Sequence, residues 1–429
     1  MENTIAVETA ASSRDRARLG VFWAATIGYG LFYVCRLSLN VLKKSIVDAD
    51  YLSETQLGII GSALFFSYAV GKFVNGFLAD RVNVRLFMSL GLIVAAAVNL
   101  ILGFKLPFIL FIILWGVNGW FQSIGAPCCV IALRRWYSEK GLGTVYGYWS
   151  ASHNIGEAMT FIITAFVVSA LGWQWGFFSA AGLGFMGVVM IFFLLKPYPS
   201  GYVKQRAEVV PPKVRNKEIS KKQLEVLKNP MIWFLALGSA FMYIARYAVN
   251  SWGIYYFEAE KGYSLVEAST LISVSSVCGI IGTVFSGLIS DKFFKGNRTI
   301  PASLMSALNL LALLMFLFGP AHNYTFDIIS MILFGISIGV LICFLGGLMA
   351  VDLAPKEAAG AALGVIGVAS YMGAGLQDIV SGWLFESKKS LDAAGVMQYD
   401  FSSIRIFWIS AAAISFGFLL LILFLNRKK

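Results

Sequence analysis

GYGLFYVCRLSLN at residues 28–40 and GSAFMYIARYAVN at 238–250 decide the fold. Aligned without a gap, they share Gly28/Gly238, Tyr33/Tyr243, Arg36/Arg246 and Asn40/Asn250 at an offset of 210 residues. A second pair, GFLADR at 76–81 and GLISDK at 287–292, repeats at an offset of 211. Either match alone is within reach of chance among apolar residues. Two at nearly one offset point to a duplicated six-helix unit.

Outward from these segments, apolar runs divided by charges, Gly/Pro and polar turns predict helices at 19–42, 55–79, 86–104, 107–133, 142–170 and 175–195, then at 230–257, 265–290, 299–319, 325–351, 358–384 and 403–426. Only GWQWG at 172–176 separates the fifth run from the sixth. A hydrocarbon core about 30 Å thick takes about 20 helical residues per crossing. The chain therefore reads as an all-α membrane protein, with twelve transmembrane helices in two pseudo-symmetric six-helix bundles. Composition agrees: 58% of residues are hydrophobic and only 13% are charged. That charged share is about half that of a soluble domain, too little to coat one, which argues against a cytosolic enzyme.

The net charge is +11, but its basic residues cluster in loops between apolar runs without aromatic interleaving. This fits the positive-inside rule and not nucleic-acid binding. The longest polar segment, 196–229, holds about nine basic and about three acidic residues. It reads as a basic cytoplasmic linker between an N-terminal bundle (1–195) and a C-terminal bundle (230–429). Arg81 and Arg85, Arg134 and Arg135, and Lys292, Lys295 and Arg298 mark further basic loops, and Arg427, Lys428 and Lys429 end the chain. Both termini are thus expected in the cytoplasm. Arg14, Arg16 and Arg18 precede a first run that lacks a small-residue cleavage pattern, so it reads as a retained helix. The five cysteines, Cys35, Cys128, Cys129, Cys278 and Cys343, lack metal-ligand spacing and read as packing residues.

Arg36 and Arg246 each stand inside an apolar helix, where a charge costs on the order of 2.5–3.5 kcal/mol and needs a partner or a wet cavity. Tyr33 and Asn40 flank the first, Tyr243 and Asn250 the second, on one helical face. Two symmetry-related guanidinium forks facing one cavity would bind a divalent anion such as phosphate. The alternative is a pair of structural arginines held by carbonyls or distant carboxylates. Lys72, one turn after Tyr68, is either a third cation or a lysine snorkelling to the interface. His153 is either a site residue or a satisfied core histidine. Four residues on, Glu157 shares its helical face and could pair with it, coupling protons to transport. Asp80/Arg81 and Asp291/Lys292 are either solvated loop charges or gating latches at duplicated positions. No phosphate loop, nucleophile triad or metal cluster is present. The reading therefore includes no enzyme activity, no cofactor and no metal.

Several motifs carry a resemblance: GFLADRVNVR, YVCR at 33–36, YAVGKF at 68–73, GWFQSIGAPC at 119–128, SHNIG at 152–156, GNR at 296–298 and LAPKEAAG at 353–360. Together they resemble the major facilitator superfamily, and within it the organophosphate:phosphate antiporter family. The resemblance implies Arg36 and Arg246 as phosphate ligands, with Tyr29, Tyr33, Tyr68, Lys72 and His153 around them. The chain departs from it at Leu37, where relatives carry lysine or another polar residue. It also has Ser275 and Ser276 where glycerol-phosphate members carry an acid in the eighth helix, and Glu157 where relatives are glycine-rich.

The expectation is a monomeric inner-membrane antiporter that exchanges inorganic phosphate for a small phosphorylated metabolite, a sugar phosphate, by alternating access. Its partners are those two anions and the lipid bilayer. A membrane sensor of sugar phosphate on the same fold and a proton-coupled anion transporter are the alternatives.

Overall fold

The computed structural model describes residues 2–199, 221–355, 358–391 and 397–427. Among these, 12 helices are long and apolar enough to cross a membrane. The first bundle holds α1 (Glu2–Asp48), α2 (Glu54–Ala79), α3 (Val84–Leu102), α4 (Phe108–Gln122) with α5 (Gly125–Trp136), α6 (Glu139–Ser150) with α7 (Ser152–Leu171), and α8 (Trp173–Leu194). A helical stretch over 221–228, α9, precedes the second bundle. That bundle holds α10 (Pro230–Ala259), α11 (Leu265–Phe293), α12 (Thr299–Phe318), and α13 (Tyr324–Cys343) running through a π turn (Phe344–Leu348) into α14 (Met349–Leu353). It is completed by α15 (Ala359–Ser387) and α16 (Ser402–Arg427), with a hairpin of β1 (Lys389–Leu391) and β2 (Met397–Tyr399) between them. Residues 200–220 of the expected linker, Lys356 and Glu357 of LAPKEAAG, and Lys428 and Lys429 lie outside the described residues.

Local chemistry explains the breaks within spans. The fourth span bends between α4 and α5 because Pro127 has no N–H for the carbonyl four residues back. At this break the carbonyl of Trp120 accepts from the Ser123 backbone N–H (3.3 Å), Asn75 Nδ2 (3.1 Å) and Ser123 Oγ (2.7 Å). Gly172, with φ of 92°, makes the turn that divides the fifth and sixth spans, as GWQWG implied. The first helix runs to Asp48 and not to residue 42 as the sequence predicts, because Lys43 and Lys44 do not end it. Lys44 pairs with Asp48 on the same helix (2.6 Å), and Lys43 is buried against the other bundle.

Odd-numbered spans leave the side that bears the chain termini, and even-numbered ones return to it. On the far side the bundles are fastened together. A Cβ on Gly58 of α2 would stand 2.4 Å from the Asp378 carbonyl oxygen of α15, and one on Gly382 would stand 2.4 Å from the Glu54 carbonyl oxygen. Lys43, wholly buried, donates to Asp378 Oδ1 (3.0 Å), which also accepts from Ser251 Oγ (2.6 Å) and Trp252 Nε1 (2.7 Å). The Glu54 carboxylate accepts from Tyr255 (2.9 Å), Tyr399 (3.0 Å) and Lys389 (2.8 Å). Toward the termini the packing opens: a Cβ on Gly76 of α2, on Gly287 of α11, or on Gly360 or Gly364 of α15 would meet nothing within 4 Å.

The molecule is thus closed on the far side and parted on the terminal side. Asp80, Arg81, Asp291 and Lys292 are exposed on the parted side, and among the described residues none of them forms an ion pair. The expected latches between neighbouring helices are not fastened in this conformation, because all four side chains lie exposed, where an ion pair gains little over hydration. Arg298 bonds Asp352 (2.5 Å) within the second bundle instead.

Closure depends on backbone contact at Gly58. Gly58→Val is expected to hold the far side open. In a background lacking the five natural cysteines, a cysteine at Ser62, buried in the parent, should then react with a membrane-impermeant thiol reagent. Equal protection in parent and variant would contradict the closure.

Candidate functional site

At mid-membrane the two duplicated arginines approach one seam between the bundles. Arg36 on α1 is 3% exposed, and its backbone is anchored one residue earlier: the Cys35 carbonyl accepts from Asn99 Nδ2 (2.8 Å) and Asn118 Nδ2 (3.0 Å). Its Nη2 donates a long bond to the Tyr247 hydroxyl (3.5 Å). Its guanidinium carbon lies 4.3 Å from the Tyr68 ring centroid and 5.5 Å from those of Tyr33 and Tyr371. Such faces attract a cation but give its N–H groups no strong acceptor, and the buried Nε has no hydrogen-bond partner.

Arg246 on α10 is placed differently. Its guanidinium carbon lies 5.2 Å from the Tyr247 ring centroid, so both arginines meet at Tyr247. Its Nη2 stands 3.6 Å from Glu157 Oε2, an ion pair that crosses from the second bundle to the first. Glu157 Oε1 accepts from Asn250 Nδ2 (2.6 Å) and Ser276 Oγ (2.6 Å). Sequence equivalence has therefore become electrostatic asymmetry: one arginine has a carboxylate and the other has only neutral neighbours.

This corrects the expected His153–Glu157 pair. Both lie on α7, but a spacing of four places two side chains on one face without making them partners. Arg246 and two hydrogen-bond donors on the facing helices take the carboxylate, while the His153 ring lies 5.7 Å from that of Tyr33. The departure at Ser276 also finds its meaning, since the serine's hydroxyl bonds the acid supplied by the fifth span.

The remaining predicted residues fall into four groups. Tyr29 stands beside Tyr33 (5.5 Å) and Trp149 (5.1 Å) where α1 and α7 touch, a contact so close that a Cβ on Gly156 would lie 2.4 Å from the Gly30 carbonyl oxygen. Tyr68 and Tyr243 flank Tyr371 at 4.5 and 5.5 Å between ring centroids, forming an aromatic wall across the seam. Lys72 is exposed on the parted side with Nζ 5.4 Å from the Tyr371 ring, which places it at the approach to Arg36. Asn40 and Asn250, expected beside their arginines, link the bundles on the closed side: Asn40 Nδ2 donates to the Asn250 carbonyl (3.3 Å). A small cavity of about 20 Å³, lined by Arg246, Glu157, Asn154, Ser275, Phe334 and Ile338 among others, lies beside this group.

Sequence reasoning missed Tyr247, Tyr371, Lys43, Asp378 and Glu54, and also Phe65, whose ring lies 4.5 Å from that of Tyr247 and 5.8 Å from the Arg36 guanidinium carbon. Asp378 gave a usable signal, an acid deep in an apolar run with Lys43 as an equally isolated base. Tyr247 followed Arg246 directly, but only the fold shows it reaching Arg36.

Residues 25–377 match the Major Facilitator Superfamily. The chain belongs to that superfamily. Within it, a "Probable hexose phosphate transport protein" of Chlamydia pneumoniae is 34% identical over 384 residues, covering 83% of each chain. The "Membrane sensor protein UhpC" of Salmonella typhimurium is 33% identical over 373 residues, covering 83% of this chain and 82% of that one. A "Glycerol-3-phosphate transporter" of Bacillus subtilis is 33% identical over 378 residues, covering 83% and 84%. These relatives agree with the motifs in placing the chain in the organophosphate:phosphate antiporter family of major facilitators. Among solved structures, the nucleoside transporter NupG shares the major facilitator fold at a TM-score of 0.73 and 14% identity, covering 96% of this chain and 100% of that one. A bacterial homolog of the human lysosomal transporter Spinster, in an inward-facing and occupied conformation, does so at 0.73 and 16%, covering 94% and 96%.

Proposed function

We propose that this protein exchanges inorganic phosphate for a small organophosphate, a sugar phosphate, by alternating access. One observation carries the reading: two duplicated, buried arginines meet at Tyr247 across the seam, and one of them has a buried N–H without an acceptor. A phosphoryl group is the ligand whose oxygens match two guanidinium forks at once. Bridging Arg36 and Arg246, it would draw the bundles together at mid-membrane and let the closed side change. Tyr29, Tyr33, Tyr68, Tyr243 and His153 shape the approach, and Lys72 raises the local concentration of anion at the open mouth. Relatives named for hexose phosphate and glycerol-3-phosphate support the substrate class.

In this reading 1–195 and 230–429 are the moving bundles, and 196–229 is their cytoplasmic connector. The protein is a monomer in the inner membrane with both termini cytoplasmic, so the parted side faces the cytoplasm. Asp80, Arg81, Asp291 and Lys292 fasten when that side closes. The similarity to UhpC favours a second reading, a sensor that binds sugar phosphate without moving it. Proteoliposomes loaded with unlabelled phosphate and supplied with labelled phosphate outside separate the two. Accumulation that vanishes in Arg36→Ala supports exchange. Specific sugar-phosphate binding without counterflow, in correctly inserted protein, selects the sensor.

Lys72 is expected to contribute charge and not geometry, because an ammonium is a mobile point charge. Lys72→Arg should keep appreciable exchange. Lys72→Ala should weaken phosphate binding about 3- to 5-fold, since an exposed charge contributes up to about 1 kcal/mol. Unchanged affinity in Lys72→Ala would return the residue to an interfacial role.

A further inference from the structure

We propose that Glu157 is a tethered anion that takes the substrate's place on Arg246 and lets the unloaded carrier re-orient, so that transport is not confined to strict one-for-one exchange. The inference rests on the transport reading above. In a site with two bare guanidinium groups, closing both sides without a bound anion would bury like charges in a dry, low-dielectric seam, which is strongly unfavourable. Exchange would then be obligatory, because only a loaded carrier could cross. In this structure the seam is already compensated from within the chain. Glu157 Oε2 faces Arg246 Nη2 at 3.6 Å, leaving one net positive charge on the Arg36, Arg246 and Glu157 triad where two would otherwise stand.

Three features suit Glu157 to this task. The carboxylate belongs to the first bundle, whereas Arg246, Asn250 and Ser276 belong to the second, so the interaction spans the same seam that a bound phosphate would span. It is also displaceable. The contact to Arg246 is longer than the two bonds of 2.6 Å from Asn250 and Ser276, and those bonds would keep the carboxylate satisfied after a phosphoryl oxygen had taken Arg246. Finally, Arg36 is left open. With aromatic faces for neighbours and a buried Nε lacking an acceptor, it is the half of the site where an incoming phosphate docks first. Phosphate then exchanges places with Glu157 on Arg246.

The test compares net efflux of phosphate from loaded proteoliposomes into phosphate-free medium with exchange against external phosphate, measured in the same vesicles. The parent should show net efflux. In Glu157→Gln the ratio of net efflux to exchange should fall about tenfold, and the binding of inorganic phosphate in detergent should tighten about fivefold as the internal competitor is lost. Glu157→Asp keeps the charge on a shorter stem and should lower the ratio in the same direction, which guards against a folding defect in the amide variant. An unchanged ratio in both variants overturns the proposal. Absence of exchange in the parent itself would instead reject the transport reading on which it rests.

Discussion

Arg36→Lys is expected to lose roughly 10- to 100-fold in phosphate exchange while inserting normally, because one charge-assisted hydrogen bond contributes about 1.5–3 kcal/mol. The lysine keeps the positive charge and the attraction to the Tyr68 face, but not the planar fork that presents parallel N–H groups to phosphate. Arg246→Lys should lose exchange comparably. The alanine variants should then differ in stability, which the repeat alone does not foretell. Arg36→Ala removes a cation whose neighbours are neutral and should leave folding nearly intact. Arg246→Ala leaves the Glu157 carboxylate, which is 5% exposed, with its bonds from Asn250 and Ser276 but without a counter-charge, and breaking a buried pair from one side costs about 3–5 kcal/mol. Thermal unfolding in detergent reads this difference, and adding Glu157→Gln to Arg246→Ala should restore most of the loss. Near-normal exchange in either lysine variant would assign that arginine a structural role.

What the sequence disclosed and what it withheld follow from the range of the forces involved. Hydropathy is local and additive, so twelve spans and the turn at Gly172 could be read from composition in short windows. The repeat exposed Arg36 and Arg246 because a charge inside an apolar run is rare enough to align by eye. Helical spacing shows which residues share a face but not what that face meets, so spacing pairs Glu157 with His153 on its own helix whereas Arg246 holds it from another bundle. The sequence predicts a first helix ending at residue 42, because a lysine ordinarily marks an interface. Lys43 instead lies wholly buried beside an acid 335 residues away, a distance over which no local pattern carries information. Whether Asp80 and Asp291 find partners depends on conformation as well as on sequence, and in this conformation both are exposed.

That buried pair leads to the largest expected effect. Three donors, Lys43 Nζ, Ser251 Oγ and Trp252 Nε1, converge on Asp378 Oδ1 within 3.0 Å, and the Lys43 ammonium also lies 3.8 Å from the Trp252 ring centroid. Asp378→Asn removes the counter-ion and leaves the ammonium in a dry seam, a change of about 3–5 kcal/mol. Lys43 recovers water if the far side opens. Moving a two-state equilibrium from one extreme to the other takes about 5.5 kcal/mol, so most of the population should shift toward the far-side-open state. Distances between spin labels on the far ends of α2 and α15 should lengthen and broaden. The double variant Lys43→Met with Asp378→Leu separates a gate from a mere structural pair. Apolar replacement of a buried ion pair is often neutral or stabilising, so the double variant should close the far side again and regain thermal stability. A gate must also open, however, and an apolar seam gives the opened state no charges to hydrate. Exchange by the double variant should therefore stay slow although its fold is restored, whereas full recovery of exchange together with stability would show that the pair serves only to hold the bundles together.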